Sequence, residues 1–433
     1  MPLQHTVEEI VLKSGAKGLL IATPGSTSVR YSIQFRAGNE YVADEKISQT
    51  AHIMEHMAFG QNAEFDSMEE FSRDFSKNGA FHNAFTSSVD MIYTASAALM
   101  EWERILRLQL LAITKPVFTE ASLKAEKGNV REEIVGYANN HGRLLWQEMA
   151  NRAGIHRWLD TRELETIDAV TLDDIINHHK KTHTAENMRF VIVGDLGNER
   201  EKITALLEGA FTERGVRLPL PADVAKGEML VPIVRKDLPS VTFSIIFFLN
   251  RTLTREELRA ANVLTHIITD TFHSRIWGEA RTRGICYGMG SWVSSEPTQL
   301  TEFGLGGQVS RENTAELFSL IAEKLVEIGR EGITEAELAA AKEYRMGGMQ
   351  MGTETTGSLA NWYATLYYDL GVIDHVSTMP DIIQGTTVEH ITTLASELLR
   401  SDAWSFGAIG DINKPELQQH YDAFKQTIHT LRG

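Results

Sequence analysis

Two histidines one helical turn apart, with a glutamate between them, are the residues of this chain best placed to do chemistry. The segment SQTAHIMEHMAFG carries His52, Glu55 and His56. On a helix, side chains at i and i+4 share one face about a turn apart, so two neutral imidazoles can grip one ion. Glu55, at i+3 from His52, stays on that side within reach of a water held by the ion. Zinc-assisted hydrolysis uses such a set: imidazole ligands, and an acid outside the coordination shell to take a proton. The order H-x-x-E-H inverts the commoner H-E-x-x-H zinc motif. Catalytic zinc ordinarily has three protein ligands and keeps a fourth position for water, so a third ligand is expected elsewhere.

A helix carrying this set needs a scaffold, and the scaffold is repeated within the chain. Residues 28–35 read SVRYSIQF, and 212 positions on, residues 240–247 read SVTFSIIF. FVIVGDL at 190–196 returns as FGAIGDI at 406–412, and Thr171 and Thr387 each stand 24 positions before the GD aspartate. Matches at a nearly constant offset of half the chain imply two homologous halves. In each half, β-branched and aromatic runs predict strands, at 19–23 and 29–36, then at 231–234 and 241–250. Helices are expected at 47–59 and 256–276. After a further strand come long helices at 100–113 and 120–138, and at 314–327 and 335–350, with closing strands at 190–193 and 404–409. The expected fold is α+β: two homologous domains by duplication, each a largely antiparallel sheet with helices packed on one face. The expected division is a catalytic zinc-binding domain over 1–213, a linker over 214–226 with two prolines and little periodicity, and a non-metal domain over 227–433.

The repeat supplies an internal control. The second copy of the motif helix reads HIITD over 266–270: His266 persists, but Thr269 stands for Glu55 and Asp270 for His56. A requirement of the scaffold would tend to keep all three in both copies. Chemistry is therefore expected in the first half, with His266 a packed or capping histidine.

At this point the chain resembles the pitrilysin or insulinase family of peptidases, in the branch of the mitochondrial processing peptidase. In that family the H-x-x-E-H helix is followed by a helix reading roughly E-R-x-x-V-x-x-E-I, matched by EKGNVREEI at 126–134. The resemblance implies Glu133 as the third ligand and Glu126, seven positions earlier on the same helix face, as the acid supporting the site. Glu132 competes with Glu133, but stands about 100° around the helix and cannot aim at the same ion equally well. GAFHNAFT at 79–86 resembles the family's G-x-x-x-N-A-x-T strand. It implies that Asn83, Ala84, Phe85 and Thr86 form an edge against which an extended peptide lies, held by main-chain hydrogen bonds. SRIWGEARTRGICY at 274–287 resembles the S-R-L…R-E-x-x-G-L-x-Y block, implying that Tyr287 and Arg281 grip substrate and stabilise the oxyanion. The step to Tyr287 is one residue short of the pattern, which leaves Arg283 as the alternative to Arg281. These blocks fall in family order along nearly the whole chain.

Composition narrows the rest. A formal net charge of −16 argues against a nucleic-acid partner, which needs a basic footprint. No run of apolar residues is long enough to span a membrane. The first twenty residues show no basic start followed by an apolar stretch, and the single cysteine, Cys286, has no partner within the chain. The expectation is a cytoplasmic protein. His178-His179 beside Lys180-Lys181 reads as a polar helix end. The implied activity is a zinc metallopeptidase, an endopeptidase or oligopeptidase with one Zn²⁺ per chain, in which Glu55 is general base for hydrolysis of unstructured peptides. Relatives enclose peptides in a chamber of four such halves, so two chains are implied, a homodimer or a heterodimer with a homologous subunit. The alternatives are a presequence-type processing subunit needing a different partner chain, and a non-hydrolytic assembly subunit.

Overall fold

The structure is a computed structural model describing residues 3–155, 157–211, 213–296 and 298–432. It resolves into two compact units, one of Met1–Gly136, Asp160–Pro221 and Met349–Val376, the other of Tyr137–Leu159, Ala222–Gly348 and Ser377–Gly433.

In the first unit the strands are β1 (Thr6–Val11), β2 (Lys17–Ala22), β3 (Ser28–Arg36), β4 (Phe81–Thr86), β5 (Asp90–Ala98) and β6 (Met188–Gly194), in the sheet order β1-β2-β6-β3-β5-β4. The second unit has β7 (Glu228–Val234), β8 (Val241–Leu249), β9 (Gly288–Glu296), β10 (Leu300–Val309) and β11 (Trp404–Gly410), in the order β7-β11-β8-β10-β9. Without β1, the two orders are the same. β2 with β6 and β7 with β11 are the parallel pairs, and the remaining pairs are antiparallel. The repeat extends to register: Phe35 lies opposite Met91 in one sheet, and Phe247 opposite Phe303 in the other. The largely antiparallel α+β architecture and its duplication are thus as the sequence predicts.

Each sheet buries one face under its own half's helices. Tyr31, Ile33, Phe35, Met91, Tyr93, Phe190 and Ile192 pack against helices that include Thr50–Ala58, Trp102–Thr114 and Glu120–Gly136. In the second unit Phe243, Ile245, Phe247, Phe303 and Phe406 do the same beneath Thr314–Glu331, Val388–Leu399 and Lys414–His429. Repeated capping fixes where equivalent helices begin. Thr171 accepts from Asp174 N in a full capping box, and Thr387 accepts from His390 N at the matching place. The pair His178-His179 is not a polar helix end. His178 is buried with Nε2 2.9 Å from Ala37 O, and burial drives its pKa down to about 4. The helix presents this side to the core, while Lys180 and Lys181 stay exposed.

The opposite sheet faces explain why the units are not contiguous halves. Leu19, Ile21, Val191 and Val193 of the first sheet are covered by Leu359, Tyr363 and Tyr367 of the helix Thr356–Leu370, which comes from the second half of the chain. Ile246, Phe248 and Ile409 of the second sheet are covered by Leu145 and Met149 of His141–Arg152, from the first half. A Cβ at Gly407 would stand 2.5 Å from Met149 Sδ, so the missing side chain is what lets that helix lie close. Burying such large apolar side chains contributes roughly 1.5–3 kcal/mol each, enough to hold an exchanged helix in place. A further change of unit falls at Pro221–Ala222, within the 214–226 stretch.

Candidate metal centre and active site

The helix Thr50–Ala58 is almost wholly buried, with Ala51, Ile53, Met54 and Met57 in the core. Those positions set its rotation and leave His52 and His56 on the remaining side, toward the long helix Glu120–Gly136. That second helix buries Leu123, Glu126, Val130 and Ile134, an i, i+3, i+7, i+11 stripe with one carboxylate in it. Glu133 lies beside the stripe, and both its carboxylate and that of Glu126 reach His56.

Glu133 Oε2 lies 3.5 Å from His52 Nε2 and 3.4 Å from His56 Nε2. The other ring nitrogens are engaged elsewhere. His52 Nδ1 is 3.0 Å from Gln49 Oε1, and His56 Nδ1 is 3.1 Å from Glu126 Oε2. Asn129 Nδ2 donates in turn to Glu126 Oε2 at 3.1 Å. Both Nδ1 atoms face acceptors, an arrangement that favours the neutral tautomer with its proton on Nδ1 and its Nε2 lone pair turned to the space shared with Glu133. Glu132 points out to solvent.

This arrangement fits zinc. Separations of 3.4–3.5 Å are long for hydrogen bonds. They match the edge of about 3.4 Å of a tetrahedron whose arms are the ~2.1 Å of Zn–N and Zn–O bonds. Among the described residues, this is the one group of three such side chains with ligand atoms within 4.8 Å of one another. The charge is also suited to a cation. Burial disfavours the charged form of His56, yet Glu126, Glu55 and Glu133 outweigh it and raise its pKa.

Glu55 is buried beside this cluster, and Thr86 Oγ1 donates to its Oε2 at 2.6 Å. Burial raises the Glu55 pKa, opposed by the Thr86 hydroxyl and by the two histidines. Thr86 ends β4, which pairs with β5 alone among the described residues and forms the edge of its sheet. Along β4 the side chains alternate: His82, Ala84 and Thr86 turn inward, while Phe81, Asn83 and Phe85 face solvent. The residues expected from the N-A-x-T resemblance thus divide between two faces.

The second copy holds no comparable set among the described residues. His266 is 6% exposed, stacks on Tyr344 with ring centres 4.2 Å apart, and has Nδ1 3.5 Å from Asp270. The segment His266–Asp270 is a π-helical turn, where the first copy is regular α-helix. Thr269 meets Ser291 at 2.6 Å, hydroxyl to hydroxyl. In the same unit Tyr287 is 80% exposed, and the Arg281 guanidinium lies 4.1 Å from its ring centre. Arg283 instead pairs with Glu279 and Glu316. The tyrosine's neighbour is therefore Arg281.

Reading the sequence missed Gln49, Asn129 and the side-chain role of Thr86. Gln49 precedes His52 by three and Asn129 follows Glu126 by three, so helical spacing could have found both. Nothing local marks Thr86 as a partner of Glu55, 31 residues away.

Two family models match the chain. One, Insulinase (Peptidase family M16), matches residues 18–158, which include every member of the cluster just described. The other, Peptidase M16 inactive domain, matches 169–344, which include the HIITD copy. The chain belongs to the insulinase family, M16. Among M16 relatives, the Bacillus subtilis protein named "Uncharacterized zinc protease YmxG" is 23% identical over 92% of this chain and 96% of its own length. The mitochondrial-processing peptidase subunit beta of Neurospora crassa is 22% identical over 51% of this chain and 45% of its own. Solved M16 folds agree with the architecture. A peptidase M16 inactive domain from Pseudomonas fluorescens superposes with a TM-score of 0.81 at 18% identity, over 94% of this chain and 98% of that one. A Helicobacter pylori protease gives 0.78 at 18%, over 95% and 100%. No helix among the described residues is long and apolar enough to cross a membrane.

Proposed function

We propose that this chain is a zinc metallopeptidase that hydrolyses unstructured peptides, with one Zn²⁺ per chain held by His52, His56 and Glu133. The observation that carries the reading is the convergence of two imidazole Nε2 atoms on one carboxylate oxygen at 3.4–3.5 Å, with both Nδ1 atoms tied back by acceptors. When bound, the ion supplies a Lewis acid that polarises the scissile carbonyl and lowers the pKa of water to about 7. The remaining work falls to the chain. Gln49 and Glu126 hold the two rings in the tautomer that offers Nε2. Glu55 takes the proton of the attacking water and passes it to the leaving amine. The free edge of β4 would hold the substrate main chain as an added strand. Tyr287, with Arg281 against its ring, would stabilise the oxyanion. The catalytic unit is proposed to be a dimer of two such chains, with a homologous second chain as the alternative partner.

The test is Glu55→Gln. It should retain zinc and fold while losing about 10²–10⁴ in turnover of an unstructured peptide, the usual contribution of a general base. A loss below about tenfold would contradict the role. Chelation should abolish activity of the parent protein, and metal analysis should return about one zinc per chain.

A further inference from the structure

We propose that the Thr86 side chain is a positioning residue for the general base, acting on Glu55 and not on substrate. The proposal rests on the peptidase reading above and assigns a residue that the sequence pattern places only in a substrate strand.

The geometry separates the two roles of β4. Its outer edge is main chain, while the inward side chains are His82, Ala84 and Thr86. His82 is taken up by aromatic packing, with ring centres 4.3 Å from Phe59 and 4.5 Å from Phe75. Ala84 has no polar group. Thr86 alone of the three brings a donor to the site, and it spends that donor on Glu55 Oε2 at 2.6 Å. This is the O–H···O⁻ length of a charge-assisted hydrogen bond. With Oε2 so held, rotation of the carboxylate is restricted and Oε1 is the oxygen left to receive a proton. Thr86 is β-branched, hence stiff at χ1, and its strand is paired to β5 on the inner side. The hydroxyl is therefore placed by the sheet, independently of the helix that carries Glu55. The second copy offers the contrast: there Thr269 in the Glu55 position meets the Ser291 hydroxyl, which can tie helix to strand but has no base to orient.

The experiment compares the purified full-length, zinc-loaded protein with Thr86→Val and Thr86→Ser on one unstructured peptide. Thr86→Val keeps the shape and removes the donor. It should lower kcat about ten- to a hundredfold, the range for losing one hydrogen bond to a charged group, with KM and zinc content held. Thr86→Ser should recover most of that loss. The effect should also vanish when Thr86→Val is added to Glu55→Gln, since it acts through that carboxylate. If Thr86→Val does not fold, Thr86→Ala takes its place in the same cycle. An active parent with Thr86→Val unimpaired would overturn the proposal. So would a rise in KM at constant kcat, or an equal loss in the parent and the Glu55→Gln backgrounds. A zinc-loaded parent without turnover would instead overturn the peptidase reading itself.

Discussion

Glu126 and Glu133, seven residues apart on one helix, hold opposite nitrogens of the same imidazole: Glu126 Oε2 is 3.1 Å from His56 Nδ1, and Glu133 Oε2 is 3.4 Å from Nε2. Seven residues are almost two helical turns, so both carboxylates share a face and the ring lies between them. The two glutamates have different work, and their substitutions should differ accordingly. Glu126→Gln should weaken zinc affinity or activity by roughly 10–100-fold, the usual cost of losing a ligand's outer partner. Glu132→Gln, whose carboxylate points to solvent, should match the parent. The reverse outcome, with zinc lost on changing Glu132, would assign the third ligand to Glu132 and overturn the role given to Glu126.

His52→Ala and Glu133→Gln should each abolish stoichiometric zinc binding, because each removes one of three protein donors. Metal analysis after dialysis is the readout. Full zinc and full turnover in His52→Ala would rule out the assigned centre.

Glu228 should make the second unit acid-sensitive. Burial opposes its charge, but hydrogen bonds from Lys425, Arg432 and His429 prevail and hold its pKa down to about 2. A depressed carboxylate stabilises the fold above its unfolded pKa of about 4.3, and that contribution is lost as pH falls through about 2. Glu228→Gln should therefore cost about 1–2 kcal/mol in urea unfolding at pH 7, after allowance for solvent screening, and little near pH 2. A difference between the two proteins that stayed constant with pH would refute this account.

The dimer proposal is tested by complementation. Glu55→Gln and Tyr287→Phe should each keep only a small residue of the parent's turnover alone. If Tyr287 of one chain serves the zinc of the other, mixed dimers pair an intact base with an intact tyrosine, and activity should partly return after subunit exchange. No recovery in a sample shown to have exchanged would remove the shared site and leave the peptidase reading in place.

What the sequence determined by itself were relationships set by local geometry or by repetition. His52, Glu55 and His56 share a face because a helix turns every 3.6 residues, whatever surrounds it. The two sheets have one strand order because their strands repeat at a near-constant offset, and Thr171 and Thr387 start matching helices because an N-cap is a local contact. Tertiary structure decided the rest. Nothing near Thr86 in the chain says that its hydroxyl meets Glu55, and spacing alone left Arg281 and Arg283 as rivals for Tyr287 until packing set Arg281 against its ring. Nor does the apolar stripe of His141–Arg152 or Thr356–Leu370 encode which sheet it covers. Hydrophobic attraction is non-directional, so an amphipathic helix specifies that it will be buried. Where it is buried depends on the shape of the uncovered face it meets, such as the gap left at Gly407.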